Sequence, residues 1–379
     1  MTSHASAAGP PRRPVSTLDA GALAGLLARY RAPAFRATQI GDAVWRPHVT
    51  AVEEVAQLPA GLRSALGSEL LWNVVDASAV SEADDGRTLK ILGRLDDGQS
   101  IETVAMETAA TERRRRRSTV CVSSQVGCAV GCPFCATGQM GLTRNCTAAE
   151  IVDQVRLAGR LLAERGLGPV THVVYMGMGE PLANYDAVAG SLRVLTGEAG
   201  LSARRITVST SGVVPAIDRL AGEGIPVTLA ISLHAANDLA RDRLVPLNRA
   251  HPIATLLAAA DRYASATGRR VTIEWCLIGG INDSPADADQ LREAAYRLQA
   301  HVNIIPMNHV DGSPWGPPDR QATERFLSRL AGIRYTTRGT RGAEADAACG
   351  QLRAGLAQRR SVQRDGTLSA PAPVAPARS

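Results

Sequence analysis

Gly127-Cys128-Ala129-Val130-Gly131-Cys132-Pro133-Phe134-Cys135 is the stretch on which the reading of this 379-residue chain turns. Three cysteines fall within eight positions at C-x3-C-x2-C spacing, directly after the β-branched run Thr119 to Ser123. Thiolates so spaced can wrap one [4Fe–4S] cluster, and three ligands for four irons leave one iron open to bind and reduce something. A structural zinc site would want a fourth Cys or His close by and usually a repeated C-x2-C pair, and no such pair follows. Cys128, Cys132 and Cys135 are therefore the candidate cluster ligands, with a zinc-dependent, non-catalytic RNA-binding protein as the alternative.

Outward from this loop, β-branched runs alternate with segments of helical periodicity, the pattern of βα units in a parallel sheet. Strands are expected at Thr119–Ser123, Thr171–Met176, Ile206–Thr210, Val227–Leu233, Val271–Ile278 and Val302–Pro306, with a seventh at Ile333–Thr337. Thr147 and Glu150 have capping-box spacing ahead of one helix, and Ser284, Pro285 and Asp287 start another. Six such units imply an α/β fold, either an incomplete (βα)6 barrel or a wound sheet. In both, active groups gather on loops at the strands' C-terminal ends.

The expected organisation is a disordered leader over 1–15, a mainly helical accessory domain over 16–75, a strand-rich bridge over 76–118, the core over 119–352, and a disordered basic tail over 353–379. In the bridge, Thr88–Leu92 and Ser100–Met106 read as strands. A 45% hydrophobic fraction without an apolar run of membrane-spanning length indicates a soluble protein with no membrane association. The N-terminus lacks an apolar signal core, and seven cysteines without an export signal suit the reducing cytoplasm better than a disulfide framework. The net charge of +6 is compatible with a polyanionic partner. Nearly all of the positive charge is arginine, Lys90 being the only lysine, and the run Arg113–Arg117 reads as a solvated loop.

The cysteine loop, with Phe134 before its third cysteine, resembles the radical S-adenosylmethionine (SAM) superfamily. Met176-Gly177-Met178-Gly179-Glu180-Pro181-Leu182 after the second strand extends the resemblance. Glycines there permit close backbone approach, and a carboxylate can hold the SAM ammonium. Ser209 and Ser211 after the third strand, Ser232, Leu233 and His234 after the fourth, and Asn308 after the sixth fit the same pattern of SAM contacts. The implied fold is an incomplete (βα)6 radical SAM barrel.

Two further cysteines bring the match closer. With Cys121 in Cys-Val-Ser-Ser-Gln and Cys349 in Ala-Cys-Gly-Gln-Leu, the chain resembles the dual-specificity 23S ribosomal RNA and transfer RNA adenine-C2 methyltransferases from about Phe35 to Leu352. That resemblance implies two SAM molecules per turnover, a methyl group carried on Cys349, and release of the product by Cys121 with a disulfide left behind. Carbon 2 of adenine lies between two ring nitrogens and is electron-poor, so it does not attack SAM as an amine would, but a carbon radical adds to it. Thiol exchange then frees the product. Glu102 stands where the family has a carboxylate that takes the carbon-2 proton, against the plainer expectation of a solvated carboxylate on an edge strand. Cys146 and Cys276 match no family role.

The resemblance further implies 23S rRNA and tRNA as substrates, a reducing donor such as flavodoxin or ferredoxin, and a monomer. Phe35-Arg36-Ala37-Thr38-Gln39-Ile40 matches the accessory domain that engages RNA, where the base must be unstacked and presented singly. Relatives that methylate carbon 8 and confer antibiotic resistance share almost all these motifs. The Phe35–Ile40 segment and the Arg338-Gly-Thr-Arg341-Gly342 approach to Cys349 favour the C2 group.

Overall fold

The computed structural model of the chain describes residues 12–112, 115–310, 313–337, 347 and 350–352. Near the N-terminus, β1 (Arg13–Pro14) pairs with β2 (Leu70–Leu71) around three helices, α1 (Ala20–Arg29), α2 (Arg36–Val44) and α3 (Ala60–Gly67). Asp19 caps α1 by accepting the Ala22 N–H at 2.7 Å. Leu23, Leu26 and Leu27 on α1 meet Ala37, Ile40 and Ala43 on α2, closing an apolar cluster of their own. The expected leader is shortened by this pairing. Arg13 and Pro14 are in a strand and Val15 is buried, because Val15 supplies part of that cluster. Residues 1–11 and the tail over 353–379 lie outside the described residues.

Three antiparallel strands follow: β3 (Val75–Ala83), β4 (Thr88–Leu95) and β5 (Ser100–Thr108). The first was not expected. It lies at the sheet's edge and is mostly exposed, so its sequence carries no apolar alternation to read. Because β5 pairs with β6 (Arg117–Cys121), the bridge continues directly into the main sheet.

After β6 the chain forms β7 (Gln125–Gly127), α4 (Ala136–Gln139), β8 (Leu142–Asn145) and α5 (Ala148–Glu164). Then β9 (His172–Tyr175), α6 (Tyr185–Thr196), β10 (Ile206–Thr210), α7 (Val214–Ala221) and β11 (Thr228–Ser232) alternate. The series ends with α8 (Asp238–Leu244), α9 (Ile253–Thr267), β12 (Thr272–Leu277), α10 (Pro285–Arg297), β13 (His301–Pro306), α11 (Arg320–Ser328) and β14 (Arg334–Thr337). Both expected capping boxes are present, at Thr147/Glu150 and Ser284/Asp287.

The ten-stranded sheet runs β14-β13-β12-β11-β10-β9-β6-β5-β4-β3, and every pair from β6 to β14 is parallel. A doubly wound sheet reverses direction from its centre. Here spatial order follows chain order throughout, so the units wind one way, as in a barrel wall. No ladder among the described residues joins β14 back to β6, and the wall stays open. On its helix-covered face lie Val173, Tyr175, Val208, Ile231, Ile273, Trp275, Val302 and Ile304, all buried. The opposite face carries His172, Ser209, Ser232, Glu274 and Asn303, as the period-2 alternation of strands requires.

Arg156 of α5 fastens the N-terminal unit to the wall. It donates to the carbonyls of Val44 (3.0 Å) and Trp72 (2.6 Å) and pairs with Asp153, whose other oxygen accepts the Val74 N–H. Among the described residues no helix is long and apolar enough to cross a membrane.

Candidate active site

Where the wall opens at its C-terminal rim, one cleft is lined by Gly179, Glu180, Ser209, Ser211, Ser232, His234 and Asn308 together with Phe134 and Cys135. The C-terminal ends of β10 and β11 and the loops after β9, β10, β11 and β13 thus bring seven of the eight expected SAM contacts together. Leu233 is the exception: it is buried in the main core and its N–H donates to the Glu274 carbonyl. Strand alternation turns it away from the Ser232 side.

Glu180 is fully enclosed. It accepts the N–H groups of Leu182 (3.0 Å) and Ser211 (2.6 Å), and burial raises its pKa against those bonds. The sharp turn before it depends on Gly179, at φ +100°, where a Cβ would stand 2.5 Å from Gln125 Cβ. His234 is held in the left-handed region at φ 58°. Its Nδ1 accepts the Cys276 N–H at 2.9 Å, and burial pushes its pKa down to about 3. The imidazole is therefore neutral, with its hydrogen on Nε2. Its ring meets the Phe134 ring edge-on at 5.0 Å, linking the β11 rim to the cysteine loop.

Cys128, Cys132 and Cys135 are all partly buried. Burial, followed by the neighbouring cysteines and Glu180, pushes Cys132 well above the usual thiol range, and Cys128 is pushed up to about 11, again chiefly by burial. Cys128 and Cys132, desolvated in this way, are stable as thiolates only beside positive charge, which iron supplies. The loop is tightly braced: Cys128 N–H donates to Gly141 O at 2.8 Å, and a Cβ on Gly138 would stand 2.7 Å from Cys132 O. Three thiols at this spacing suit a cluster, which takes each thiolate at a separate corner.

Cys349 lies outside the described residues, as do Arg338, Arg341 and Gly342. The chain directly after Cys349 is visible against the cysteine loop. Gly350 lines the cleft and its carbonyl accepts the Ala136 N–H at 2.8 Å, while Thr137 Oγ1 donates to Leu352 O at 2.7 Å.

Cys121 and Glu102 do not line the cleft. They lie on its flank, on the same sheet face, since Lys90 and Cys121 both pair with Val104 across the ladders and Glu102 is two residues from Val104. Glu102 is on an interior strand and 0% exposed, so the expectation of a solvated edge carboxylate is corrected. Its partner at 3.1 Å is Lys90, the lone lysine of the chain. Ser123 ties this pair to the cleft by donating to Glu102 O (2.5 Å) and accepting the Met178 N–H (2.9 Å).

Three contributors were missed in the sequence. Glu274 lines the cleft and accepts from Asn303 Nδ2 at 2.7 Å; the alternation Thr272-Ile-Glu-Trp-Cys-Leu is the signal that pointed to it. Cys276, read as bland, lines the cleft and orients His234 through its backbone. Arg241 is completely buried behind the rim, with no sequence signal of its own. In the N-terminal unit, Ala37 and Ile40 are core residues, whereas Phe35 is 59% exposed with the Arg36 guanidinium 5.2 Å over its ring. Arg115 to Arg117 are exposed, and the rest of that basic run lies outside the described residues.

Residues 122–291 match the radical SAM superfamily model. A "Probable dual-specificity RNA methyltransferase RlmN" of Parafrankia sp. (strain EAN1pec) is 50% identical over 339 residues, covering 85% of this chain and 86% of its own. One of the same name from Mycolicibacterium paratuberculosis is 43% identical over 355 residues, covering 91% and 96%. The crystal structure of a radical SAM methyltransferase from Sphaerobacter thermophilus superposes with a TM-score of 0.85 at 47% identity, over 91% of this chain and all of that one. With the cysteine loop and the rim residues converging on one cleft, these similarities mean that the chain belongs to the RlmN family of radical SAM RNA methyltransferases.

Proposed function

We propose that the enzyme methylates carbon 2 of an adenosine in 23S rRNA and in tRNA, through a methyl group carried on Cys349. Membership of an enzyme family sets aside the non-catalytic zinc protein. The observation that carries the reading is the stitching of Gly350 and Leu352 to Ala136 and Thr137, which holds the chain next to Cys349 at the mouth of the SAM cleft.

Cys128, Cys132 and Cys135 hold one [4Fe–4S] cluster. When bound, the cluster and SAM supply a 5′-deoxyadenosyl radical able to take hydrogen from a thioether methyl group. Glu180 holds the SAM ammonium, and Gly179 lets the backbone approach it. Ser209, Ser211, Ser232, Asn308 and the Nε2–H of His234 hold its carboxylate, ribose and adenine edges, with Leu233 contributing only backbone. Cys349 presents the methyl carbon to the base, and the radical adduct gives its carbon-2 proton to Glu102 and one electron to the electron-transfer partner. Cys121 then attacks the Cys349 sulfur, breaking the sulfur–carbon bond; the thiol proton of Cys121 passes to the departing carbon, which becomes the methyl group, and a disulfide is left behind. Lys90, 3.1 Å from Glu102, sets an opposite charge beside it in its buried position. The same reading includes an unstacked base delivered by the N-terminal unit, a flavodoxin or ferredoxin as electron source, and a monomeric enzyme in the cytoplasm.

Mass spectrometry of nucleosides from 23S rRNA and tRNA, in cells lacking and re-expressing the protein, tests the reading. Restored 2-methyladenosine in both RNAs is expected. A product that is only 8-methyladenosine would refute it in favour of the antibiotic-resistance relatives. Cys349→Ala should retain brown colour and iron yet make no methylated RNA.

A further inference from the structure

Arg241 has no exposed surface, and its side chain is spent almost wholly on the backbone of the cleft rim. Nε donates to Leu233 O at 2.9 Å, and Nη2 donates to Ser232 O at 3.0 Å and to Ser211 O at 2.6 Å. Nη1 donates to Asn248 Oδ1 at 2.9 Å. One planar group therefore joins the loop after β10 to the loop after β11, the two segments whose serines face the cleft. A fork with fixed donors does this at little entropic cost, and an ammonium would not span the same carbonyls.

Its charge is unusual as well. Among the described residues Arg241 makes no ion pair within 4 Å. Asp238 and Asp242 lie nearby but are engaged by Asn248 Nδ2, at 3.0 and 2.7 Å. A buried cation without a contacting carboxylate is costly unless negative charge lies close by. α8, which carries Arg241, packs its Ala240 and Leu244 into the apolar cluster that holds Phe134, Cys132 and Cys135. Burial draws the Arg241 pKa down to about 10, so it remains charged at neutral pH; Cys132 is the foremost of the groups opposing that fall, followed by Asp238, Asp242 and Glu180.

We propose that Arg241 is a positioning residue for both cofactors: its hydrogen bonds set the spacing of the two SAM-holding loops, and its charge offsets the negative charge of the thiolate-bound cluster. The proposal rests on Cys128, Cys132 and Cys135 holding that cluster. A cation beside a cluster stabilises the more negative, reduced state, so removing it makes reduction harder.

The test uses reconstituted holoenzyme of wild type, Arg241→Lys and Arg241→Gln, without RNA or turnover. Iron and sulfide are quantified first, SAM affinity is measured by equilibrium dialysis, and the cluster midpoint potential by EPR-monitored redox titration. Both variants should take up a full cluster and bind SAM about tenfold more weakly, the equivalent of one charged hydrogen bond. Only the Gln variant should move to a more negative potential. SAM affinity within twofold of wild type in the Lys variant, or an unmoved potential in the Gln variant, overturns the proposal. Should the Gln variant fail to accumulate, the Lys variant alone decides. Wild-type protein that takes up no cluster defeats the reading beneath the proposal and is told apart by its iron content.

Discussion

Along β12 the side chains Ile273, Trp275 and Leu277 are fully buried beneath helices, while Thr272, Glu274 and Cys276, from the same six residues, face the hollow of the wall. The same split recurs on β10, where Val208 is core and Ser209 lines the cleft, and on β13, where Ile304 is core and Asn303 bonds Glu274. One face packs under helices and the other lines the cleft. A residue's face therefore predicts which property its loss affects.

The largest effect on stability belongs to the helix-covered face. Trp275→Ala should cost about 3–5 kcal/mol in urea unfolding of the folded holoenzyme, and a loss under about 1 kcal/mol would break the comparison. Next comes the polar face's exception. Lys90→Met removes the cation paired with buried Glu102 and should cost about 3 kcal/mol, with much of that recovered when Glu102→Gln is added. A double-mutant cycle checks the coupling, and purely additive losses would mean that the pair contributes nothing as a pair. Thr147→Ala removes one half of the α5 capping box and should cost about 1 kcal/mol. Smallest of all, Ser232→Ala should leave unfolding within about 0.5 kcal/mol of wild type while weakening SAM binding measured by dialysis. A large stability loss there would show that the two faces are not separable.

Much of this molecule was legible in advance. The six core strands and the seventh appear within two residues of where β-branching and alternation placed them, and both capping boxes formed. These features are local: a strand's period, a cap's spacing and a three-cysteine loop each depend on residues close together in the chain. The edge strand β3 escaped because exposure on both sides removes the apolar signal. The shortened leader escaped because a two-residue pairing between Arg13–Pro14 and Leu70–Leu71 joins segments more than fifty residues apart.

The site divides in the same way. The sequence by itself determined the residue types: three thiols at cluster spacing, a glycine-flanked Glu180, hydroxyls after successive strands, and a lone Lys90 among arginines. Only the tertiary structure decided that Glu102 is a buried, paired carboxylate on an interior strand, that Glu274 belongs to the cleft, and that Leu233 turns away from it. Arg241 is the clearest case. Nothing marks it in a chain crowded with arginines, because its role depends on three carbonyls that folding alone brings to it and on a helix whose Ala240 and Leu244 fold against the cysteine loop.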